Sequence, residues 1–192
     1  MPADSETPSS PDLTPPGLAP PDLRVRVSQG EAWAQWGDRS FRCAIGRGAI
    51  ARKKHEGDGI TPVGRWPIRR VLYRADRVAA PETSFDCAAI GADDGWCDDP
   101  ADPAYNRPVR LPYAASHERM TRDDGLYDVV VVLGHNDDPV VPGAGSAIFL
   151  HVAREDYGPT EGCVALALPD LLEVLRTAAA GSAVKVLAPR ET

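Results

Sequence analysis

Cys163 and His151 are the residues of this chain whose types and spacing offer chemistry, a thiol and an imidazole on either side of a short loop, with apolar segments on both flanks. They read as a nucleophile with its base. A free cysteine is mostly thiol near neutrality, and the thiolate is the species that attacks, so a working cysteine needs a base or a positive charge within hydrogen-bond reach. His151 ends the apolar run Ala147-Ile-Phe-Leu150, which reads as a buried strand able to hold the ring in place. Gly162, immediately before the cysteine, leaves room for a substrate carbonyl to approach, and the backbone N–H groups there are candidates for an oxyanion hole. On residue types alone the competing reading is a small buried cysteine and a hydrogen-bonded core histidine.

The elements that must hold these residues read as mainly β. Leu23 to Val27 alternates with period two, and Glu31 to Trp36 and Arg39 to Ile45 follow across Gly37-Asp38, which together predict a hairpin or meander. Trp66 to Tyr73 reads as a strand after the Thr61-Pro62 turn. The uninterrupted Val-rich segment Tyr127 to Gly134 predicts a strand buried on both faces. Asp86 to Pro112 is expected to be a long irregular insertion whose aromatic residues favour an ordered cap or substrate wall. Leu168, Leu171, Leu172 and Leu175 fall at helical spacing, with Pro169 suited to the first turn and Gly181 to a C-terminal cap. A helix starting there lends partial positive charge to the Cys163 thiolate only if its axis points at the sulfur. Val184 to Leu187 is expected to close the sheet, and no internal repeat is visible.

Composition bounds the function classes. The 192 residues, 43% of them hydrophobic, suffice for one sizeable core, expected over residues 23–188. Met1 to Asp22 is rich in Pro, Ser and Asp, reads as a disordered or extended leader, and contains no apolar stretch of a signal peptide. No transmembrane segment is visible. The net charge of −7, with no basic cluster longer than Arg52-Lys53-Lys54, argues against a nucleic-acid partner. No obligate protein partner and no cofactor are expected.

The remaining reactive side chains carry weaker signals. His135, at the end of a strand and followed by Asn136, Asp137 and Asp138, is a candidate to line the same cleft, while His55 and His117 look like surface residues. Asp137, Asp138, His135, His151 and Cys163 include zinc-ligand types, but the tight spacings of zinc motifs are missing and no metal is expected. Cys43 reads as a core residue. Cys87 and Cys97 stand either as a disulfide in an oxidising compartment or as two free thiols.

Two patches resemble a known family. Thr160-Glu-Gly-Cys-Val-Ala-Leu166 resembles the Ser-His-Gly-Cys-Val-Arg-Leu signature of the L,D-transpeptidase catalytic domain, the YkuD-like family, with the upstream histidine at a strand end. Gly57-Asp-Gly-Ile-Thr-Pro-Val-Gly64 resembles its Thr-Pro-x-Gly turn, and the likeness runs from about Arg24 to Leu187. Thr160 stands for the motif's Ser, Glu161 for its His and Ala165 for its Arg, and the His-to-Cys interval is shorter than in many members. The family's Arg is thought to position the substrate or the active-site loop, and Arg154 is the nearest replacement in sequence, with a solvated loop charge as the other reading.

The resemblance implies a β-sandwich with one helix after the cysteine loop. It also implies an acyltransferase of peptidoglycan stem peptides, located in the periplasm or cell wall, that works through a thioester on Cys163. His151 is then the base, oriented by a backbone carbonyl, that of Val152. Gly162, Thr160, Arg154 and His135 are the candidate substrate-binding or oxyanion residues. The alternatives are an L,D-carboxypeptidase or amidase of the same thiol type, or a non-catalytic wall-binding domain that kept the fold.

Overall fold

The computed structural model describes residues 20–189. The expected leader therefore lies outside the described residues, except for its last three. Fourteen strands and one helix follow in chain order. They are β1 (Asp22–Ser28), β2 (Glu31–Trp36), β3 (Arg39–Ala44), β4 (Ile50–Ala51), β5 (Thr61–Pro62), β6 (Gly64–Tyr73), β7 (Cys87–Ala89), β8 (Asp94–Cys97), β9 (Pro108–Arg110), β10 (His117–Arg119), β11 (Val129–Leu133), β12 (Phe149–Val152), β13 (Val164–Leu166), α1 (Leu168–Thr177) and β14 (Ala183–Val186). None of the described helices is long and apolar enough to cross a membrane.

The mainly β architecture with one helix is as expected, and what reads as two layers is one sheet whose ends meet. Its order is β11-β12-β13-β3-β2-β1-β14-β6-β7, and β11 also pairs with β6, closing the sheet into a barrel. The length of β6 makes closure possible: Gly64 to Pro67 pairs with β14, and Ile68 to Tyr73 pairs with β11. β14 is thus an interior strand between β1 and β6 rather than a closing edge. β1, β2 and β3 form the expected antiparallel meander.

Strand alternation sorts the side chains into two cores. Leu23, Phe41, Val71, Val131, Leu150, Leu166 and Val184 point into the barrel, where Leu171, Val174 and Leu175 of α1 join them. Val130, Val132 and Phe149, on the opposite face of β11 and β12, pack against Trp96, Met120 and Tyr127. All five residues of β11 are buried, as a strand covered on both faces requires. α1 starts with Pro169 in its first turn, but Ala178 is its C-cap, and Gly181 (φ +91°) serves the next turn.

The 86–112 insertion is ordered, as its aromatic residues suggest, and carries β7, β8 and β9 where its sequence reads as irregular. β8 pairs with β9 and β10 in a three-stranded sheet that brings Trp96 edge-on to Phe149, with ring centroids 5.1 Å apart. Burial of that indole supplies the ordering energy that the many Asp, Gly and Pro residues obscure. All four cysteines are free, Cys87 exposed and Cys97 buried.

The loop before β13 is fixed from the β5 turn. The fully buried Thr61 hydroxyl donates to the Gly162 carbonyl at 2.9 Å and accepts the Gly46 N–H at 2.7 Å. Backbones meet closely here: a Cβ on Gly46 would lie 2.1 Å from the Gly59 carbonyl oxygen and 2.9 Å from Gly162 Cα. Gly162 itself has φ +136°, open to glycine and strained for other residues. Thr160 Oγ1 donates to the Cys163 carbonyl at 2.7 Å, which completes the turn. Thr61→Val keeps the shape and strands two buried polar groups, so thermal or denaturant unfolding is expected to show a loss of about 3 kcal/mol, largely restored by Thr61→Ser. Unchanged stability in the Val variant contradicts this anchor.

Candidate active site

Parallel pairing of β12 with β13 brings the thiol and the imidazole together. Leu150 lies opposite Val164 and His151 opposite Ala165, so Cys163 comes level with Phe149, one residue before the registered pairs. Side chains alternate along a strand, so Cys163, Ala165, Phe149 and His151 project from the same face, the one turned toward the insertion. His151 is two residues from Phe149, which puts its Cα roughly 7 Å further along the strand.

Each reactive group has defined partners. The Cys163 Sγ accepts the Phe149 N–H at 3.3 Å and donates to the Ala147 carbonyl at 3.2 Å. His151 Nδ1 lies 2.8 Å from the Val152 carbonyl, the partner expected from sequence. A carbonyl only accepts, so Nδ1 carries the proton and Nε2 is left with the lone pair that a general base needs. The Tyr127 ring stands edge-on to the imidazole, with centroids 5.4 Å apart, and its hydroxyl donates to Glu118 Oε2 at 2.6 Å.

Burial keeps the resting pair neutral. His151 is 4% exposed, and loss of hydration pulls its imidazole down to about 4. The same cause pushes the Cys163 thiol up to about 12, with the neighbouring Glu118 carboxylate adding to it and the Phe149 N–H opposing it. α1 does not offset this. β13 intervenes and carries the chain roughly 10 Å away, further than the charge of a helix end reaches.

Cys163 and His151 line a cleft of about 320 Å³. Its walls carry Lys53, Glu56, Asp98, Glu118, Arg122 and Arg154. Lys53 pairs with Asp58 at 2.6 Å and Arg122 with Asp124 at 2.5 Å. Burial raises Glu118, which Tyr127 connects to the His151 ring. Among the described residues no group of three or more His, Cys, Asp or Glu side chains is arranged to hold a metal ion.

The structure brings some of the sequence candidates together and separates others. Gly162, Thr160 and Arg154 lie at the cleft or in its cysteine loop, with Arg154 exposed at the rim. The Gly162 N–H, however, donates to Thr160 Oγ1 at 3.2 Å, and the Thr160 hydroxyl is used within the turn. His135 is buried against Trp66, with centroids 4.7 Å apart, and does not line the cleft. Glu161, in place of the motif's His, is exposed and bonds Arg47 at 2.7 Å, while Ala165 is buried in the cleft wall. His117 is half-buried rather than on the surface.

Sequence reading missed Thr61, Glu118 and Tyr127. Thr61 lies in a quoted turn, but only its contacts reveal that it holds the cysteine loop. Glu118 sits in a charged run that reads as surface, because nothing local announces that its carboxylate meets the buried Tyr127 hydroxyl.

No curated protein sequence matches the chain. Among solved structures it is similar to L,D-transpeptidase 1 of Mycobacterium tuberculosis, with a TM-score of 0.40 and 11% identity over 88% of this chain and 62% of that one. The chain thus spans less than two thirds of that protein's length. The sequence model of the YkuD family, the L,D-transpeptidase catalytic domain, matches residues 24–186. With most of its length in that match, the chain belongs to the L,D-transpeptidase catalytic domain family.

Proposed function

We propose that this protein is a cysteine-dependent L,D-transpeptidase acting on peptidoglycan stem peptides in the periplasm or cell wall. The observation that carries the reading is the placement of Sγ and imidazole on one face of two paired strands beside a cleft, with Nδ1 engaged and Nε2 available. Substrate binding displaces the resting thiol–carbonyl contact, and the Sγ proton passes to Nε2 as the sulfur attacks the carbonyl of the third stem residue. The Cys163 N–H is the proposed oxyanion donor, since that of Gly162 is already bonded. Such a donor lowers the barrier by about 3 kcal/mol.

Collapse of the tetrahedral intermediate breaks the L,D peptide bond. The D-Ala amine takes the proton from His151 and leaves, and a thioester remains on Cys163. An acceptor amine then attacks the thioester, gives its proton to His151 and forms the cross-link, while the sulfur returns to thiol. Water in place of the amine gives a carboxypeptidase. Arg154, at the cleft rim, is the proposed replacement for the family's missing Arg in positioning the stem.

Purified protein mixed with tetrapeptide muropeptides is expected to yield cross-linked dimers on chromatography. Cys163→Ser is expected to keep the circular dichroism spectrum and lose at least about a hundredfold in rate, because a lone imidazole cannot activate a hydroxyl as it does a thiol. Trimmed monomers identify the hydrolase, and no product from the parent protein leaves the wall-binding reading.

The pH profile tests His151 as the base, and alanine variants separate it from His135. His151 must be neutral to act, and its folded value near 4 lies below that of an ordinary histidine, so the reaction should persist below pH 6 and fall only as pH drops through about 4. His151→Ala should abolish turnover across neutral pH, whereas His135→Ala should reduce it less. A decline centred near pH 6.5, or the reverse order of the two variants, removes His151 as the base.

A further inference from the structure

Asn106 is a buried carboxamide with every hydrogen-bonding position filled. It is 4% exposed and comes from the insertion, between β8 and β9. Its Oδ1 accepts the Trp96 Nε1–H at 3.1 Å and the Ala147 N–H at 3.1 Å. Its Nδ2 donates to the carbonyls of His135 at 3.1 Å and Asn136 at 2.7 Å. Two donors and two acceptor lone pairs are the full capacity of a carboxamide, and no other side chain of that size offers both.

One of those partners leads to the thiol. Ala147 sits at φ +50°, a left-handed conformation that costs energy for a residue with a Cβ and persists only where its surroundings hold it. Asn106 grips the N–H of Ala147, and the carbonyl of the same residue accepts the Cys163 thiol. Ala147 also packs in the same buried cluster as Cys163 and Trp96. The chain of contacts therefore runs from Trp96 through Asn106 and Ala147 to Sγ, across three segments distant in sequence.

We propose that Asn106 is a positioning residue for the nucleophile, holding the Ala147 carbonyl where it docks the Cys163 thiol at rest. This rests on the reading of Cys163 as the nucleophile. A hydrogen bond from S–H to a carbonyl favours the thiol over the thiolate, so releasing that carbonyl makes ionisation easier. The other groups that bear on the sulfur are Glu118, Tyr127, Lys53, Arg122, His151 and the Phe149 N–H. None of them bonds Asn106, so its substitution leaves their direct bonds in place.

The test is the pH dependence of Cys163 alkylation by iodoacetamide, followed by peptide mass spectrometry that separates this site from Cys43, Cys87 and Cys97. It needs no substrate, so the rate remains measurable even if transpeptidation fails. Asn106→Gly removes the carboxamide and tolerates the positive φ of 56°. Its midpoint is expected to fall by about half a unit to one unit, with faster labelling at neutral pH, since one net hydrogen bond corresponds to a shift of that size. Asn106→Asp keeps both acceptors, including the one for Ala147, and adds a negative charge, so its midpoint should stay at the parent value or rise. Asn106→Asp carries the test alone if the Gly variant does not fold. A parent-like profile in a folded Gly variant, or a lowered midpoint in the Asp variant, overturns the proposal and leaves Asn106 a packing residue.

Discussion

The parallel pairing of β12 with β13 is the constraint on which the rest of the site depends. A one-residue slip would turn His151 and Cys163 to opposite faces, because side chains alternate with period two. The barrel prevents such a slip by burying Leu150, Val164 and Leu166 on the interior face, so the register that fills the core also sets the reactive pair on the cleft side. Thr61 then fixes the turn through Gly162, which lies outside the strand pairing, by bonding it to the Gly46 segment.

The site trades reactivity at rest for a dry environment. Both reactive groups are almost fully buried, and the neutral thiol–imidazole pair avoids the cost of two charges away from water. Sγ rests between a carbonyl that favours the thiol and an N–H that favours the thiolate. In the proposed acyl transfer, charge develops during attack. A cleft that disfavours charge at rest strengthens any donor aimed at the oxyanion.

Much of this was legible in the sequence where the signal is local. The period-two runs gave the β1–β3 meander, the unbroken valines of β11 gave a strand covered on both faces, and the Gly-Cys patch with its upstream histidine marked two side chains that line one cleft. Contacts between distant segments were not legible. Closure through β6 and β11 depends on one long strand serving two neighbours, which its own pattern does not reveal. The insertion read as irregular because its order comes from Trp96 packing on Phe149 and from Asn106, not from its own periodicity. The helix cap at Gly181 failed for a related reason: the chain leaves α1 at Ala178, early enough for Ser182 and β14 to return to the barrel.

The central claim is that the Cys163 sulfur becomes covalently acylated by a stem peptide. The most direct measurement is intact-protein mass spectrometry on samples quenched in acid within the first turnovers with a stem tetrapeptide. The account predicts an adduct equal to the tripeptide acyl group, lost on treatment with hydroxylamine and located on Cys163 by digestion. Turnover of the tetrapeptide with no such adduct under any quench time, or an adduct located on another residue, would contradict it.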